Sequence, residues 1–415
     1  MRQISRSQAG LLRTERLVPS WVKQVIETIS AQGALAVIVG GAVRNICMGQ
    51  AVDEWDLATS AKPDDVMRWF PKVIPTGIRH GTVTVLHQGQ AVEITTFRSE
   101  GPYLDGRRPS SVAFHDDVTV DLSRRDFTIN AMAVDLAGRR FIDPFGGMLD
   151  MAAKRLKCVG IAEERFHEDG LRVLRAVRFM AYLGFHLDPE LRAAIPISLE
   201  VFEKVAIERK RDEIFKTLDR SSQLGPALFV LADTGLLALL APELYVTPDM
   251  TAVMERLPRH LGWLRLAAWC IAANVAPEMA EKLLLRWRSS TKEASTLRLS
   301  IEAYLWFGPK IRPRRDIRRW LAEFGASTCR QSAMLLRVFQ PEVFRRLPEL
   351  VHSMRQAPHT FRDLALSGVA LQSLGIKGRE VGQILAQLLH FVLERPSRNR
   401  YDFLLEEARR IKDNV

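Results

Sequence analysis

Residues 37–61 read VIVGGAVRNICMGQAVDEWDLATSA. A short apolar run, Ala36 to Val39, ends at the glycine pair Gly40 and Gly41. The residues after it, with Arg44 one turn in, predict a helix, and the acids Asp53, Glu54 and Asp56 then lead into a second strand. A strand that runs through glycines into a helix lets a phosphate come close to the backbone and meet free N–H groups at the helix start. A plain tight turn accounts for two adjacent glycines as well.

The acids are not equivalent. Side chains alternate along a strand, so Glu54 and Asp56 point together and Trp55 lies on the opposite, buried side, while Asp53 falls in the preceding loop. Phosphoryl transfer with two Mg²⁺ ions needs carboxylates that converge on one point, and Glu93 in VEITTFR, on a neighbouring strand, can complete the cluster. An acid pair on a basic protein is also a common surface feature.

Outward from this stretch, GTVTVLHQG followed by QAVEITTFR predicts a hairpin of alternating β-branched residues, and RRFIDPF a further strand. Strand signals stop near Ala162. Beyond it the chain reads as helix after helix, with breaks at Gly225, Pro242, Pro258, Pro309, Pro341 and Gly375 and without a repeat of fixed period. The expected fold is α+β: a small mixed head over residues 1–160, then an all-α arm.

With 415 residues, 47% of them hydrophobic, the chain has material for two or more cores. A formal net charge of +11 favours a polyanionic partner, nucleic acid or an anionic membrane surface. No run of about 18 apolar residues appears, and the N-terminal residues lack the apolar core of a signal peptide, so a cytoplasmic protein without a membrane partner is expected. The cysteines Cys47, Cys158, Cys270 and Cys329 form no CxxC pair, which speaks against a zinc site or a disulfide framework. Lys310, Arg312, Arg314, Arg315, Arg318 and Arg319 crowd one segment. Such a cluster fits a phosphate backbone better than a single solvated helix face.

RFHEDGLRVLRAVRF, residues 165–179, predicts a helix on which Asp169 and Arg172 are neighbours, with Arg175 further along the stripe. The plain reading is an acid paired with an arginine at a helix start. The chemical reading is base selection: a carboxylate acceptor beside a guanidinium donor matches the exocyclic amine and ring nitrogen shared by cytosine and adenine. Uracil and guanine present the reverse order.

Taken together these segments resemble the class II tRNA nucleotidyltransferases and bacterial poly(A) polymerases of the polymerase β superfamily. GGAVRN with EWDLATSA is similar to the family's metal-binding segment, DLSRRDFTINAMA to its ribose-selecting motif and DPFGGMLD to its head-to-neck connection. EDGLRVLRAVRF is similar to the nucleotide-templating motif, ERKRDEIFKTL to the neck helix and DLALSGVALQSLGIKGREVGQIL to the tail. The resemblance implies a polymerase-β-like catalytic head over residues 1–160, a helical neck over 161–225, a body over 226–310 and a tRNA-binding tail over 311–415. It implies Mg²⁺ ligands at Glu54 and Asp56 with Glu93 as third carboxylate, and phosphate contacts at Gly40, Gly41 and Arg44. Arg125, Asp126 and Asn130 fall where the family handles ribose and phosphates, and Asp169 and Arg172 at the templating pair, with Arg175 and Arg178 in support. Arg312, Arg314, Arg315 and Lys377 are candidate RNA contacts. In two places the chain departs from the family pattern, with Asn45 for the usual aspartate and Glu54-x-Asp56 for DxD.

The implied reaction is template-independent addition of CMP, CMP and AMP from CTP and ATP to the 3′ end of tRNA, held by its acceptor and TΨC arm, with no obligatory protein partner. HGT before the hairpin strand, and the short end EEARRIKDNV without a long basic extension, favour the tRNA branch over poly(A) addition. EGPYLDGRRPSSVAFHDD resembles the loop of complete and A-adding enzymes, which argues against CC addition alone and leaves terminal A addition open. A non-catalytic RNA-binding protein is the remaining reading.

Overall fold

The computed structural model describes residues 6–101, 110–221, 223–308, 312–353 and 358–413. Pro309, Lys310 and residues 102–109 of the 100–117 loop lie outside the described residues. The chain forms two compact units, Met1–Pro242 and Glu243–Val415. Among the described residues, no helix is long and apolar enough to cross a membrane.

The first unit begins with α1 (Arg6–Leu17) and α2 (Ser20–Ala31), followed by β1 (Ala36–Val39), α3 (Gly41–Met48), β2 (Asp56–Thr59) and α4 (Pro63–Trp69). Then come β3 (Val73–Gly77), β4 (Thr82–His87), β5 (Gln90–Thr96), β6 (Arg98–Glu100), β7 (Val112–Phe114), α5 (Val118–Ser123), β8 (Ala133–Asp135) and β9 (Arg140–Ile142). Its helical part holds α6 (Gly147–Ala152), α7 (Ala162–Glu168), α8 (Leu171–Leu183), α9 (Pro189–Ile197), α10 (Leu199–Glu203) and α11 (Ile207–Arg220).

Among the described residues, seven strands form one sheet in the order β3-β4-β5-β2-β1-β8-β9. Only β2 and β5 pair in parallel; the other neighbours are antiparallel. β1 is buried at every position because it is central and covered on both faces. Ala36 and Ile38 pack into the core under α2 and α3, Val37 and Val39 into the one that holds α5's Val118 and Leu122. The expected hairpin is β4–β5, turned by Gln88 and Gly89, both at positive φ as a tight two-residue turn requires.

The sequence reading is corrected in two places. Strand structure does not end at Ala162: Arg155–Leu156 pairs in parallel with His186–Leu187, a two-residue ladder too short to leave a periodic signal. Gly225 is not a break but sits in the first turn of a helix, Leu224–Asp233, where the unpaired N–H groups tolerate it.

In the second unit all the described regular structure is helical. A capping box at Ser290 and Glu293 starts the helix Thr291–Phe307, and the next long helix, Arg314–Phe339, is interrupted at Gly325, whose φ of 74° a helix cannot hold. Leu366, Leu371, Ile376, Leu388, Val392 and Leu404 close a separate apolar core near the end of the chain.

Ile38 is fully buried at the middle of the sheet. Ile38→Ala should therefore destabilise the first unit by about 3 kcal/mol, read from the urea midpoint of its unfolding transition.

Candidate active site

A cleft of about 620 Å³ opens in the first unit where β1, β2 and β5 meet α3, α8 and α11. The strand register sets its acidic wall. Val39 lies opposite Asp56 in the antiparallel pair, and Asp56 lies beside Glu93 in the parallel one. Their neighbours Leu57 and Ile94 both enter the core on the far face, so Asp56 and Glu93 project together from the near face into the cleft. Trp55 is buried with Leu57, as alternation predicts, although the regular strand begins only at Asp56. Glu54 is exposed in the preceding segment and lines the cleft, as does Asp53.

These carboxylates disturb one another. Burial pushes the Asp56 carboxyl above its ordinary value; Arg125 offsets part of this and Glu54 adds to it. Glu93 is likewise raised by burial, then by the charges of Asp56 and Glu54. Among the described residues, no three acidic, imidazole or thiol groups form a ready cation cage. That suits Mg²⁺, which keeps several waters and binds one or two carboxylates together with substrate phosphates. A divalent cation would relieve the repulsion here, so the donor set fits one.

The basic wall begins at Gly40, whose φ of 68° and ψ of −130° suit glycine alone. A Cβ there would also stand 2.9 Å from an Arg125 guanidinium nitrogen. Arg125 is held by Asp121 at 3.1 Å, and Arg124 bridges Asp121 and Glu100 at 2.7 and 2.9 Å. Burial raises Asp121, but Arg124 and Arg125 together bring it below the usual carboxylate range.

Behind this wall Asp126 is a buried hub. Its Oδ2 accepts from Arg175 Nε and a terminal nitrogen at 2.8 and 2.5 Å, and its Oδ1 from Asn130 Nδ2 at 3.1 Å. Burial raises the carboxyl, yet Arg175 and these hydrogen bonds outweigh it and bring it down to about 2. Asn130 Oδ1 in turn accepts from Arg44 at 2.5 Å. Arg44, pushed down to about 10 chiefly by burial, shares one aromatic ring with Arg175 and Arg178: the three guanidinium carbons lie 5.1, 5.5 and 4.1 Å from the Phe179 ring centre. Arg178 is fixed by the buried Glu213 at 2.5 Å.

Asp169 and Arg172 both reach the cleft, but not as a pair on one helix face. Asp169 is itself the break between α7 and α8, its backbone extended at φ −144° and ψ 104°, while Gly170 after it is already in the helical region. A Cβ at Gly170 would stand 2.7 Å from the Val201 carbonyl. Asp169 accepts two hydrogen bonds from Arg209 at 3.1 and 2.7 Å, while Arg172 binds Glu168 and the carbonyls of Arg165 and Arg124. Sequence reasoning missed Arg209. Its only signal was its place in ERKRDEIFKTL.

In the second unit several arginines of the basic cluster have partners within the chain. Arg312 donates to the carbonyls of Phe307 and Trp306 at 2.8 and 3.1 Å, and Arg318 to that of Leu393 at 2.9 Å, stapling helix C-termini. Arg315 and Arg319 pair with Glu394. Arg314, Arg315 and Lys377 stay exposed.

Two family models match the chain: the poly A polymerase head domain over residues 36–157, and the probable RNA and SrmB-binding site of polymerase A over 184–246. A CCA-adding enzyme from Lactiplantibacillus plantarum is 35% identical over 94% of this chain and 96% of its own length. Another from Geobacillus kaustophilus is 48% identical over 52% and 53%. The crystal structure of the Bacillus stearothermophilus CCA-adding enzyme in complex with CTP superposes with a TM-score of 0.78 at 31% identity, over 95% of this chain and 98% of that one. The Thermotoga maritima CCA-adding enzyme complexed with tRNA shares the fold at 20% identity and a TM-score of 0.66, over 98% of both chains.

A carboxyl raised above its unfolded-state value costs the fold free energy while ionised, and the cost disappears as the pH falls through that raised value. Asp56→Asn should accordingly raise the cation-free melting temperature at neutral pH by about 2 °C, with the gain vanishing in acid. A melting temperature lowered at neutral pH would contradict the electrostatics of this wall.

Proposed function

The chain belongs to the family of CCA-adding enzymes and bacterial poly(A) polymerases, and on that premise we propose that it adds CMP, CMP and AMP to the 3′ end of tRNA without a nucleic-acid template. The observation that carries this reading is one cleft that holds both the carboxylate group of Glu54, Asp56 and Glu93 and the Asp169, Arg172 and Arg209 group. The first is what nucleotidyl transfer requires, and the second can select a base. The CTP complex of the Bacillus stearothermophilus relative, matched over nearly the whole chain, supports the nucleotide substrate. Likeness to the tRNA-bound Thermotoga maritima fold agrees with the acceptor.

In this proposal the tRNA 3′-hydroxyl attacks the α-phosphate of CTP or ATP in line, and pyrophosphate leaves. The N–H groups at the start of α3 from Gly41 on and the guanidinium groups of Arg44 and Arg125 hold the phosphates, while Gly40, whose own N–H is taken by the Met132 carbonyl, leaves them room, so that the reacting atoms are aligned. Glu54 and Asp56, with Glu93, would ligate two Mg²⁺ ions. When bound, such ions activate the attacking oxygen and offset charge on the leaving one. Arg44 is fixed by Asn130 and Phe179 before substrate arrives, so little is lost in ordering it.

Base choice falls to Asp169 and Arg172. Asp169 Oδ2, an acceptor bound by Arg209, can meet an exocyclic amine, and Arg172, a donor in the same cleft, can meet a ring nitrogen in exchange for one of its present partners. Arg209 holds the carboxylate so that it accepts and cannot swing away. The exposed Arg314, Arg315 and Lys377 remain candidate contacts for the tRNA backbone, and an A-form stem is gripped by shape and phosphates.

The test offers tRNA ending before CCA, and tRNA ending after CC, with each labelled nucleotide in turn. C, C and A incorporation on the first substrate is expected. Addition only of the final A, or long A tails on unrelated RNA, would overturn the reading. Asp56→Asn should abolish incorporation while tRNA binding persists. Arg172→Ala and Arg209→Ala should each relax discrimination against UTP and GTP by about tenfold or more, as loss of a hydrogen bond to a charged group implies. Unchanged selectivity would return both residues to a structural role.

A further inference from the structure

Residues 395–403, RPSRNRYDF, carry three arginines and one acid. They link two helices of the second unit, Arg379–Glu394 and Tyr401–Asp413. Pro396 lacks the N–H that would continue the first helix, and a single 3₁₀ turn, Pro396–Arg398, follows it. Asn399 pins that turn: its Nδ2 donates to the Asp363 carbonyl at 2.7 Å, and its Oδ1 accepts from Ala365 N at 2.8 Å. The side chains around it are therefore presented on a fixed backbone, and little order has to be created when something binds them.

Aromatic rings and unanswered charge meet here. Phe391 and Phe403 stack with ring centres 5.4 Å apart and planes 16° from parallel, and the guanidinium carbon of Arg398 lies 4.5 and 5.4 Å from those centres. The rings hold Arg398 in place without engaging its N–H groups in an ion pair. Phe403 is nevertheless 37% exposed, and Arg395 and Arg400 on either side are exposed too. Among the described residues none of these three arginines has a carboxylate partner. The acids next to them in the chain are engaged elsewhere: Glu394 with Arg315 and Arg319, Glu406 and Glu407 with Arg410.

The exposed apolar part of this surface, Phe403 with Tyr401 at the helix start, is too small for a protein or membrane contact. Guanidinium groups beside a stacking face instead match a chain that alternates phosphates with planar bases. We propose that Arg395, Arg398, Arg400 and Phe403 form an RNA contact in which an unpaired nucleotide stacks on the Arg398–Phe403 surface and its neighbouring phosphates meet Arg395 and Arg400. The proposal rests on the reading of the acceptor as tRNA, whose loops offer unpaired bases that a paired stem does not. It places a contact outside the basic run at 312–319, where Arg312, Arg318 and Arg319 are occupied within the chain.

Two variants of the full chain separate stacking from charge. Phe403→Leu keeps an apolar side chain against Phe391 and removes the ring. Arg395→Ala combined with Arg400→Ala removes two exposed cations. Binding of tRNA ending before CCA, and of a loop-free duplex with the acceptor-stem sequence, is measured by fluorescence anisotropy over a range of salt, alongside incorporation kinetics and thermal melting. Phe403→Leu should weaken tRNA binding about fivefold or more and leave duplex binding as in the parent. The double arginine variant should lower the salt slope for tRNA by about two. In both, the KM for tRNA should rise while the KM for CTP and kcat at saturating tRNA hold. Should Phe403→Leu also lower the melting temperature, the double arginine variant, altered only at exposed positions, still gives the answer. Parent-like tRNA binding in both variants overturns the contact, and equal losses on tRNA and duplex in Phe403→Leu overturn the stacked nucleotide. A parent that neither binds nor extends tRNA would instead bring down the proposed function itself.

Discussion

Two carboxylates held side by side on adjacent strands, Asp56 and Glu93, are the constraint around which the first unit is organised. Like charges in a partly buried cleft are unfavourable unless cations answer them. The sheet keeps them together because Leu57 and Ile94, their strand neighbours, are locked into the core behind, so a slip of one residue would carry apolar side chains into the cleft. Gly40 lets Arg125 approach one of these acids, with space that no side chain could share.

Buried charges elsewhere in the cleft follow the same logic at one remove. Asp126 is ionised because Arg175 and Asn130 face it, and Asn130 passes that order to Arg44. Arg44, Arg175 and Arg178 would repel one another. The Phe179 ring between them supplies a negative face without a further carboxylate that would spend their charge. A network of this kind holds guanidinium groups ready for an anion and leaves little to reorganise when one binds.

Much of this was legible in the sequence. The strand, glycine pair and helix at 36–48 and the β4–β5 hairpin follow from local period and turn chemistry, while the alternation around Trp55, which grouped Glu54 with Asp56 and set Asp53 aside, meets a regular strand that begins only at Asp56 and a cleft that all three acids line. What local pattern could not show is pairing across the chain. Spacing of three suggested that Asp169 and Arg172 share a helix face, but the backbone is extended at Asp169, between two helices, and its carboxylate is held by Arg209, 40 residues on. The basic run at 312–319 read as a phosphate site because sequence shows charge and not its partners; helix C-termini and Glu394 take several of those arginines.

The order of strands has a consequence for how the molecule is made. β1 lies between β2, which follows it closely, and β8, which is about 95 residues away by the register that pairs Ile38 with Val134. Closing so long a loop is slow, and until residues 133–142 are available β1 presents one open edge of an all-apolar strand. Such an edge invites pairing with another chain. On a ribosome, therefore, the interval between synthesis of β1 and of β8 is the period in which this protein most needs a chaperone.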